Sequence, residues 1–509
     1  FISQSYAWLA LIMALHAFFW HAVLPQFEVI TFAHLKEQAT RYSAVNTFQA
    51  QYTLRELAAQ LAKVITRLDP AQFPEALKTT AQHMLLDITG ICVSARNEGY
   101  VSSAIKAFDD DGACTLIGHP TKGSVSSACV INGIASHGED FDDTYEGGPV
   151  HAGVVIIPAL LAAAEKHNFS GPALLKGIAV GVEVMCRMCA VAPTKVHKAG
   201  FHPTAVFGAI GATAGIGAAM NLSEKQLVDA LGIAGSMSSG IIEYLADGAW
   251  TKRIHPGWAA QSGYRAARLG QQGFVGPQTV FEGDHGFFYA FARTADGNFN
   301  EMMRGFGEEW RTTTVAFKPY ACGTMAHPYI DCARALRKQS VTADQIQSIE
   351  CETAEGIVHR LWEPLALKAS PPNAYAAKFS IPYAIAAGLL LDDAGLSAYT
   401  EATVQRDDLR SLASKVRYVV DPTNPYPHQF TGHVRVHLKD GRVLEERQAF
   451  FKGGAAHPLS DADLEQKFRA NCSHGGLDAA QTQALLDTVN AALLGGSLSF
   501  SALAASGAQ

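Results

Sequence analysis

The chain has 509 residues, 48% of them hydrophobic and 17% charged, and its formal net charge is −7. This length exceeds what one hydrophobic core usually serves, so we expect two domains and an enzyme-sized protein. The negative charge without a dense Lys/Arg run argues against a nucleic-acid partner, and nine scattered cysteines favour a reducing compartment, by default the cytoplasm.

Residues 1–52 are predicted to form an apolar N-terminal extension. Residues 6–24 are almost wholly apolar and about long enough to span a membrane. A signal peptide needs a basic start, but the first lysine is Lys36 and the chain begins at Phe1. We expect an artefact of an over-extended reading frame or a disordered extension, with a membrane anchor or a packing helix as alternatives. A membrane partner is not expected, and no catalytic residue is assigned here.

The region over residues 53–311 is predicted to be an all-helical domain. Apolar residues recur at intervals of three and four, most clearly over residues 54–68, 76–86, 155–164, 173–188 and 227–233. Asp69–Pro70 ends the first stripe, and a capping box, Ser223–Gln226, precedes the last. Four glycines leave one helix face nearly bare, which favours close helix packing over a dinucleotide-binding motif: Gly208, Gly211, Gly215 and Gly217.

The pattern changes to strands and helices over residues 312–451. Alternating segments predict strands at residues 345–353, 416–420, 434–438 and 443–451, and Asp440–Gly441 between the last two indicates a hairpin. Helices are predicted at residues 329–338 and 381–391. This segment is expected to be an α+β domain. A capped helix after Ser460 returns to the first domain, so residues 452–509 are assigned to the helical domain.

Three polar islands interrupt the apolar helices and are the candidate site. They cover residues 137–151, 200–204 and 251–256. The first contains Asp140, Asp142 and Thr144 in the spacing of a DxDxT phosphatase motif, but no β-branched strand precedes it. A metal site built on its carboxylates and histidines was the next interpretation, but the spacing fits no known metal-binding loop, so no metal is predicted.

Acid–base chemistry on a carboxylate substrate is the third interpretation of the islands. His151, His202 and His255 offer imidazoles with a working pKa, and Lys252 can hold a carboxylate. Any single histidine among 19 is more often a structural or surface group. Three of them within two residues of Pro or Gly, in loops that bound apolar helices, favour a catalytic role. This chemistry needs no cofactor.

The ordered motifs of the chain resemble the MmgE/PrpD family. They lie at residues 130–144, 200–208 and 251–257, followed by shorter matches at 317–320, 378–380 and 458–460, and the resemblance runs from about residue 53 to residue 472. The family includes 2-methylcitrate dehydratase, cis-aconitate decarboxylase and iminodisuccinate epimerase. The resemblance implies a mainly α protein with an α+β second domain: a helical bundle from both chain ends, an inserted α+β lid, a cleft between them and a homodimer.

The resemblance also implies roles for individual residues. The catalytic set is His202, Asp140, His151 and Tyr383, and the substrate-binding set is Lys252, His255, Lys318, Thr144 and Lys378. Two departures from the decarboxylase-like members put that activity in doubt: an acidic, flexible stretch over Glu146–Gly148, and Cys322 where that branch has a histidine. No cysteine triplet is spaced for an iron–sulfur cluster.

The predicted function is a metal-independent lyase that dehydrates a small di- or tricarboxylic hydroxy acid of the 2-methylcitrate type. His202 is expected to transfer the proton, Asp140 to orient or share it, and His151 and Tyr383 to assist the leaving hydroxyl. Lys252, His255 and Lys318 would hold the carboxylates. An epimerase or racemase, a decarboxylase and a non-catalytic carboxylate-binding scaffold remain the alternatives.

Overall fold

The computed structural model describes residues 56–391, 394–494 and 500–504. The predicted apolar extension therefore lies outside the described residues. The described residues from Leu57 onwards form one compact unit. Within the described residues, no helix is both long enough and apolar enough to cross a membrane.

Helices dominate the N-terminal two thirds of the described chain. They are α1 Leu57–Arg67, α2 Glu75–Ser94, α3 Gly99–Ala107, α4 Val125–His137, α5 Gly153–His167, α6 Gly171–Val191, α7 Lys195–Lys198, α8 Pro203–Ala219, α9 Glu224–Met237, α10 Thr251–Gln271, α11 Phe287–Ala292 and α12 Asn300–Met303. Three two-residue strands lie between them, β1 Cys114–Thr115, β2 Lys122–Gly123 and β3 Thr144–Tyr145, and β3 pairs with β4, Val315–Ala316.

Helices and a four-stranded sheet alternate in the remaining part. The helices are α13 His327–Arg337, α14 Glu355–Leu361, α15 Leu365–Ala369, α16 Ala374–Ala377, α17 Ile381–Leu390, α18 Glu401–Val404, α19 Asp407–Ala413, α20 Asp461–His474 and α21 Ala479–Ala491. The strands are β5 Ile346–Thr353, β6 Val416–Val420, β7 Gly432–Leu438 and β8 Val443–Gln448, in the order β6-β5-β7-β8, with β5 and β6 parallel and the other pairs antiparallel.

The glycine-rich helix α8 lies at the centre of the helical part, and each of its residues is buried. Gly211 and Gly215 face the backbone of α6, where an added Cβ would come within 2.8 Å of the Gly181 carbonyl oxygen and 2.6 Å of the Gly177 carbonyl oxygen. Larger side chains would push the two helices apart. The predicted role of these glycines in close packing is confirmed.

Most elements predicted from periodicity are confirmed. Both capping boxes are present, at Ser223 and at Ser460, where the side-chain oxygen satisfies one of the first free amides of the following helix. The hairpin turn between β7 and β8 places Gly441 at φ 88°, a conformation that favours glycine. The fold is mainly α with a smaller β component, as the sequence predicts.

Two hydrophobic clusters lie within the compact unit. The larger contains side chains from α1 to Phe317 and again from Leu459 to Leu503, and the smaller contains Ile91, Phe141 and side chains from Tyr320 to Leu438. The exact domain boundaries, at residues 311 and 451, stay a prediction. The loop that carries Phe141 connects the two clusters, because it begins in the first and buries this ring in the second.

Candidate active site

The loop between α4 and β3, residues 138–143, is held by cationic side chains from four different segments. Asp140 adopts a left-handed conformation with φ 54°, which is uncommon for a residue with a side chain. Four consecutive carbonyls accept from cations: Gly138 from Arg253 at 3.0 Å, Glu139 from Lys378 at 2.5 Å, Asp140 from Lys318 at 2.8 Å and Phe141 from Lys467 at 2.8 Å. Buried carbonyls need partners, so these cations fix the path of the loop.

Asp140 is the carboxylate at the centre of this loop. Lys252 donates to its Oδ1 at 2.8 Å, and the ammonium of Lys318 lies 3.4 Å from its Oδ2. Burial opposes ionisation of Asp140, but the two lysines outweigh it and hold the pKa of this carboxyl well below its usual range. Burial also opposes the charge on Lys252, yet Asp140 raises the pKa of Lys252 above its ordinary value. Both partners are charged at neutral pH.

Asp142 joins two imidazoles. Its Oδ2 lies 3.0 Å from His137 Nδ1 and 2.9 Å from His151 Nδ1, and its side chain is fully buried. His151 Nδ1 also lies 2.7 Å from the carbonyl oxygen of Asp143. A carbonyl oxygen only accepts hydrogen bonds, so His151 Nδ1 carries a proton and Nε2 keeps the lone pair. Asp142 and the Asp143 carbonyl therefore fix the tautomer of His151.

The side chains of His137, Asp142 and His151 also form a cluster of metal-ligand types, with ligand atoms within 4.8 Å of one another. An ion held together with Asp142 Oδ2 at the nitrogens that face it would need Nδ1 of His151 to offer its lone pair. That atom instead donates its proton to the Asp143 carbonyl, so the arrangement fits hydrogen bonding better than metal binding. The absence of a metal from the chemistry stays a prediction.

His202 and His255 form a second imidazole pair. Their Nδ1 atoms are 3.1 Å apart, and the His202 ring stacks on His137 with ring centroids 5.7 Å apart. One Nδ1 must donate and the other accept, so one proton lies between the two nitrogens. Burial, with the nearby His137 and Lys252, lowers the pKa of His255 to about 4 and that of His202 well below its ordinary value. Both rings are neutral at pH 7, the state in which an imidazole accepts a proton.

Local sequence explains how two helices present these rings. His202 is the N-cap residue of α8, and Pro203 occupies the first helical position, where proline is favoured. Lys252 and His255 are three residues apart in α10 and so lie on one face. The predicted loop around His255 is wrong, because Pro256 lies inside α10. As the sixth residue of α10, Pro256 cannot donate to the Lys252 carbonyl, but α10 continues past it to Gln271.

Asp143 connects the loop to the next helix. Its carboxylate accepts from the backbone amides of Ala152 at 3.1 Å and Gly153 at 2.9 Å, at the N-terminus of α5. Anions are stabilised at this end of a helix. Burial and the neighbouring Asp142 nevertheless raise the pKa of Asp143 above its usual range. This residue anchors His151, which lies directly before the amides that Asp143 accepts from.

The structure brings most of the predicted site residues into one neighbourhood: Asp140, His151, His202, Lys252, His255 and Lys318. Lys378 lies beside them, but its ammonium is paired with Glu139 Oε2 at 2.7 Å. Thr144 is half-buried in β3 and pairs with Ala316 across the two strands. Whether these residues act on a substrate stays a prediction.

Tyr383 is the predicted residue that the structure places elsewhere. It is fully buried in the smaller hydrophobic cluster, and its hydroxyl donates to the Ala398 carbonyl at 2.6 Å. The charged side chains that affect its pKa are Arg406, Arg410 and Asp408, not the histidines or lysines of the loop. We therefore correct its assignment as an acid for the leaving hydroxyl, because its donor is already used.

Several residues of the site were not predicted as functional. His137 and Asp142 lie in the first island, but they entered only the metal-site and phosphatase-motif interpretations. Tyr244 lies over the imidazole pair, 6.0 Å from the His202 ring and 5.8 Å from the His255 ring between centroids. No sequence signal marks Tyr244, because it comes from a short turn, Glu243–Leu245, outside the three islands.

Stability is expected to fall as the pH falls from about 6.5 towards 4, the range in which unfolded histidines bind protons while the buried ones do not. Burial lowers the folded pKa values of both His137 and His255 to about 4. In this range the unfolded chain binds more protons, so acid favours unfolding. Thermal melts at pH 7.5 and pH 5 check this, and His255→Asn is expected to reduce the difference in Tm. An equal or higher Tm at pH 5 would contradict it.

A cluster that brings together neutral imidazoles, ionised carboxylates and ammonium groups has the composition of an acid–base enzyme site. Comparison with known proteins agrees with this class. Residues 59–300 match the MmgE/PrpD N-terminal domain and residues 320–491 match the MmgE/PrpD C-terminal domain. The chain belongs to the MmgE/PrpD family. Residues 1–113 also match the MFS_1 like family, a range that overlaps the first domain.

The curated relatives include enzymes named for cis-aconitate. The cis-aconitate decarboxylase-like protein oryM of Aspergillus oryzae (strain ATCC 42149 / RIB 40) is 27% identical over 457 residues, which cover 85% of this chain and 94% of the relative. The cis-aconitate decarboxylase of Mus musculus is 29% identical, over 82% of this chain and 87% of its own. That of Aspergillus terreus is 25% identical, over 81% and 88%. The similarity therefore covers both family domains.

Proposed function

We propose that this protein is a lyase that acts on a small di- or tricarboxylic hydroxy acid, removing a proton from the carbon next to a carboxylate and expelling water. The observation that carries this proposal is the neutral His202–His255 pair beside the ionised Asp140–Lys252 pair. The imidazole pair can accept a proton, and the ion pair supplies fixed charge beside it. Family membership and relatives named for a tricarboxylic acid support the substrate class.

Lys252 is the cation best placed to meet a substrate carboxylate. Its Nζ is held by Asp140, and 14% of its side-chain surface remains exposed, against 2% for Lys318. Removing a proton next to a carboxylate moves negative charge onto the carboxylate oxygens. A preorganised ammonium stabilises that charge without reorganising at the moment of reaction.

The proton steps are assigned to two imidazoles. The neutral His202 ring takes the proton from carbon, and the released electron pair forms the carbon–carbon double bond as the C–O bond of the neighbouring hydroxyl breaks. His151, in its imidazolium form with a proton on each nitrogen, gives the Nε2 proton to the departing oxygen, which leaves as water, and keeps the Nδ1 proton. Its protonated form is stabilised by Asp142, which faces His151 Nδ1 at 2.9 Å and leaves Nε2 for the substrate.

Decarboxylation of cis-aconitate is the second candidate function, because the curated relatives carry that name. This reaction must deliver a proton to carbon while CO₂ leaves. The buried imidazoles of the present site are neutral and better suited to accept a proton. At the position where the decarboxylase-like branch has a histidine, Cys322 is fully buried, and burial raises its pKa to about 12.

An NMR screen of hydroxylated di- and tricarboxylic acids, with cis-aconitate included, tests both functions. The first proposal expects the vinylic or allylic proton signals of an alkene product to grow from a citrate-type acid while no CO₂ is released. Release of CO₂ from cis-aconitate with no reaction of the hydroxy acids would replace the first function with the second. Inversion of configuration at a carbon of the substrate, with neither alkene nor CO₂ formed, would indicate an epimerase. The homodimer expected from the resemblance is a separate prediction, which analytical ultracentrifugation can check.

Lys252→Met is expected to lower kcat/KM by about 10²–10³-fold, the effect of removing one group that stabilises transition-state charge. In this variant Lys318 is the ammonium that still lies beside Asp140. Because Lys252 is also proposed to hold a substrate carboxylate, part of the loss in kcat/KM should appear as a higher KM. Steady-state kinetics on the best substrate of the screen measures the effect. Lys78→Met, at an ion pair with Glu75 in which the side chains are 36% and 84% exposed, is the control and should leave kinetics unchanged. Wild-type kinetics for Lys252→Met would contradict the assignment.

A further inference from the structure

We propose that Lys467, paired with Asp87, is a positioning residue that holds the catalytic loop from its outer side. The inference rests on the proposed function for its kinetic consequence, but its structural part can be tested without it. Lys467 belongs to α20, near the C-terminal end of the described chain, and Asp87 belongs to α2. Neither touches the imidazole rings of the site.

The contacts of Lys467 are all with the loop and its support. Its Nζ lies 2.6 Å from Asp87 Oδ1, donates to the Phe141 carbonyl at 2.8 Å and lies 3.9 Å from the centroid of the Phe141 ring. The side chain of Lys467 is 6% exposed and that of Asp87 is 0% exposed. A buried ammonium needs such partners, and here one of them is the backbone of the catalytic loop.

The position of Phe141 makes this contact relevant to catalysis. Phe141 lies between Asp140, which pairs with Lys252, and Asp142, which orients His151. Its carbonyl belongs to the peptide that leads into Asp142, so turning that peptide moves the Asp142 carboxylate relative to both imidazoles. Asp140 already adopts a left-handed conformation that surrounding contacts must maintain. Loss of the Lys467 contact is expected to displace both carboxylates.

A cleft on the outer side of the loop gives independent access to this contact. It has a volume of about 510 Å³ and is lined by Phe141, Lys467, Tyr320 and Asn471, among others. The residues of the imidazole site do not line it. A small amine in the cleft could therefore take the place of a missing Lys467 ammonium without entering the site itself.

Chemical rescue tests the proposal. Lys467→Ala is expected to lower kcat by about a hundredfold, the cost of a catalytic group misplaced by about 1 Å, with KM changed by less than about threefold. Ethylammonium should restore kcat in a saturable manner, and ethanol should not. Lys452→Ala removes a second lysine that lines the same cleft, paired there with Asp463 at 2.6 Å, and should show neither loss nor rescue. Unchanged kcat in Lys467→Ala, or a loss that no alkylammonium reverses in folded protein, would overturn the proposal.

Two further measurements test the role of Lys467. Asp87→Asn retains the shape of the pair, and it should reduce kcat in the same direction if Lys467→Ala does not fold. ¹⁵N NMR of histidine-labelled protein reports whether the His151 proton stays on Nδ1. The proposal expects a mixed tautomer in Lys467→Ala that ethylammonium reverses, and an unchanged spectrum would overturn it. If wild-type protein turns over no polycarboxylate, the proposed function fails, and the NMR result still decides the role of Lys467.

Discussion

His202→Ala is expected to lower kcat by about 10²–10⁴-fold, the usual contribution of one general base. His202 is 5% exposed and lies against His255 and His137, so its ring is placed by neighbours rather than by solvent. Alanine removes the proton acceptor but leaves the Asp140–Lys252 pair intact. Substrate binding, measured by isothermal titration, should therefore change much less than turnover.

The control for His202→Ala is a substitution of a histidine outside the site. His359→Ala alters an exposed residue at the end of α14 and should leave kcat and KM at wild-type values. A turnover of His202→Ala within about threefold of wild type would contradict the role of His202 as base, since a general base contributes at least about 10²-fold. A loss of the same size in both variants would show that the effect is not specific to the site.

Asp142→Asn is expected to lower kcat by about 10²–10⁴-fold while the fold is retained. The amide is close in shape to the carboxylate, but it is neutral and can turn an NH₂ donor towards Nδ1 of His137 or His151. Either ring could then adopt the other tautomer, with its proton on Nε2 and the lone pair of Nδ1 facing the amide. Removing the charge also destabilises the imidazolium form of His151 during the reaction. Stopped-flow or steady-state kinetics with circular dichroism as the check of folding measures this.

A surface pair provides the matched control for Asp142→Asn. Asp461 lies 2.8 Å from His83 Nε2, the same kind of carboxylate–imidazole contact, but its side chain is 89% exposed. Asp461→Asn should leave turnover unchanged, because water screens the pair and no reacting group depends on it. Full activity of Asp142→Asn would show that the tautomer of His151 does not control the reaction.

The helices and strands of this fold follow closely from sequence periodicity. α1 and β6 illustrate why: in the first, apolar residues recur at intervals of three and four and are buried, and the second is a short, mostly apolar run followed by Asp421–Pro422. The helix around Pro256 was not predicted because proline usually ends a helix, whereas α10 continues through Pro256 to Gln271. Local rules therefore predict most elements and fail where the tertiary structure overrides a local preference.

The candidate site could be predicted in part, because its first contacts come from short polar islands. Asp140, His202 and Lys252 stand out in apolar surroundings, and the structure places them together. Lys467 does not stand out: it lies 326 residues from Phe141 in sequence and meets it only through the tertiary fold. Tyr383 was misassigned for the converse reason, since sequence does not show that its hydroxyl is taken by the Ala398 carbonyl.

Deuterium incorporation from D₂O into a polycarboxylate, followed by NMR, tests the role of His202 as the base. We expect exchange at the carbon next to a carboxylate with wild-type protein, and none above background with His202→Ala. Equal exchange in both proteins would contradict the central claim that the buried His202 imidazole removes this proton. So would the absence of exchange in wild-type protein across the whole set of di- and tricarboxylic hydroxy acids.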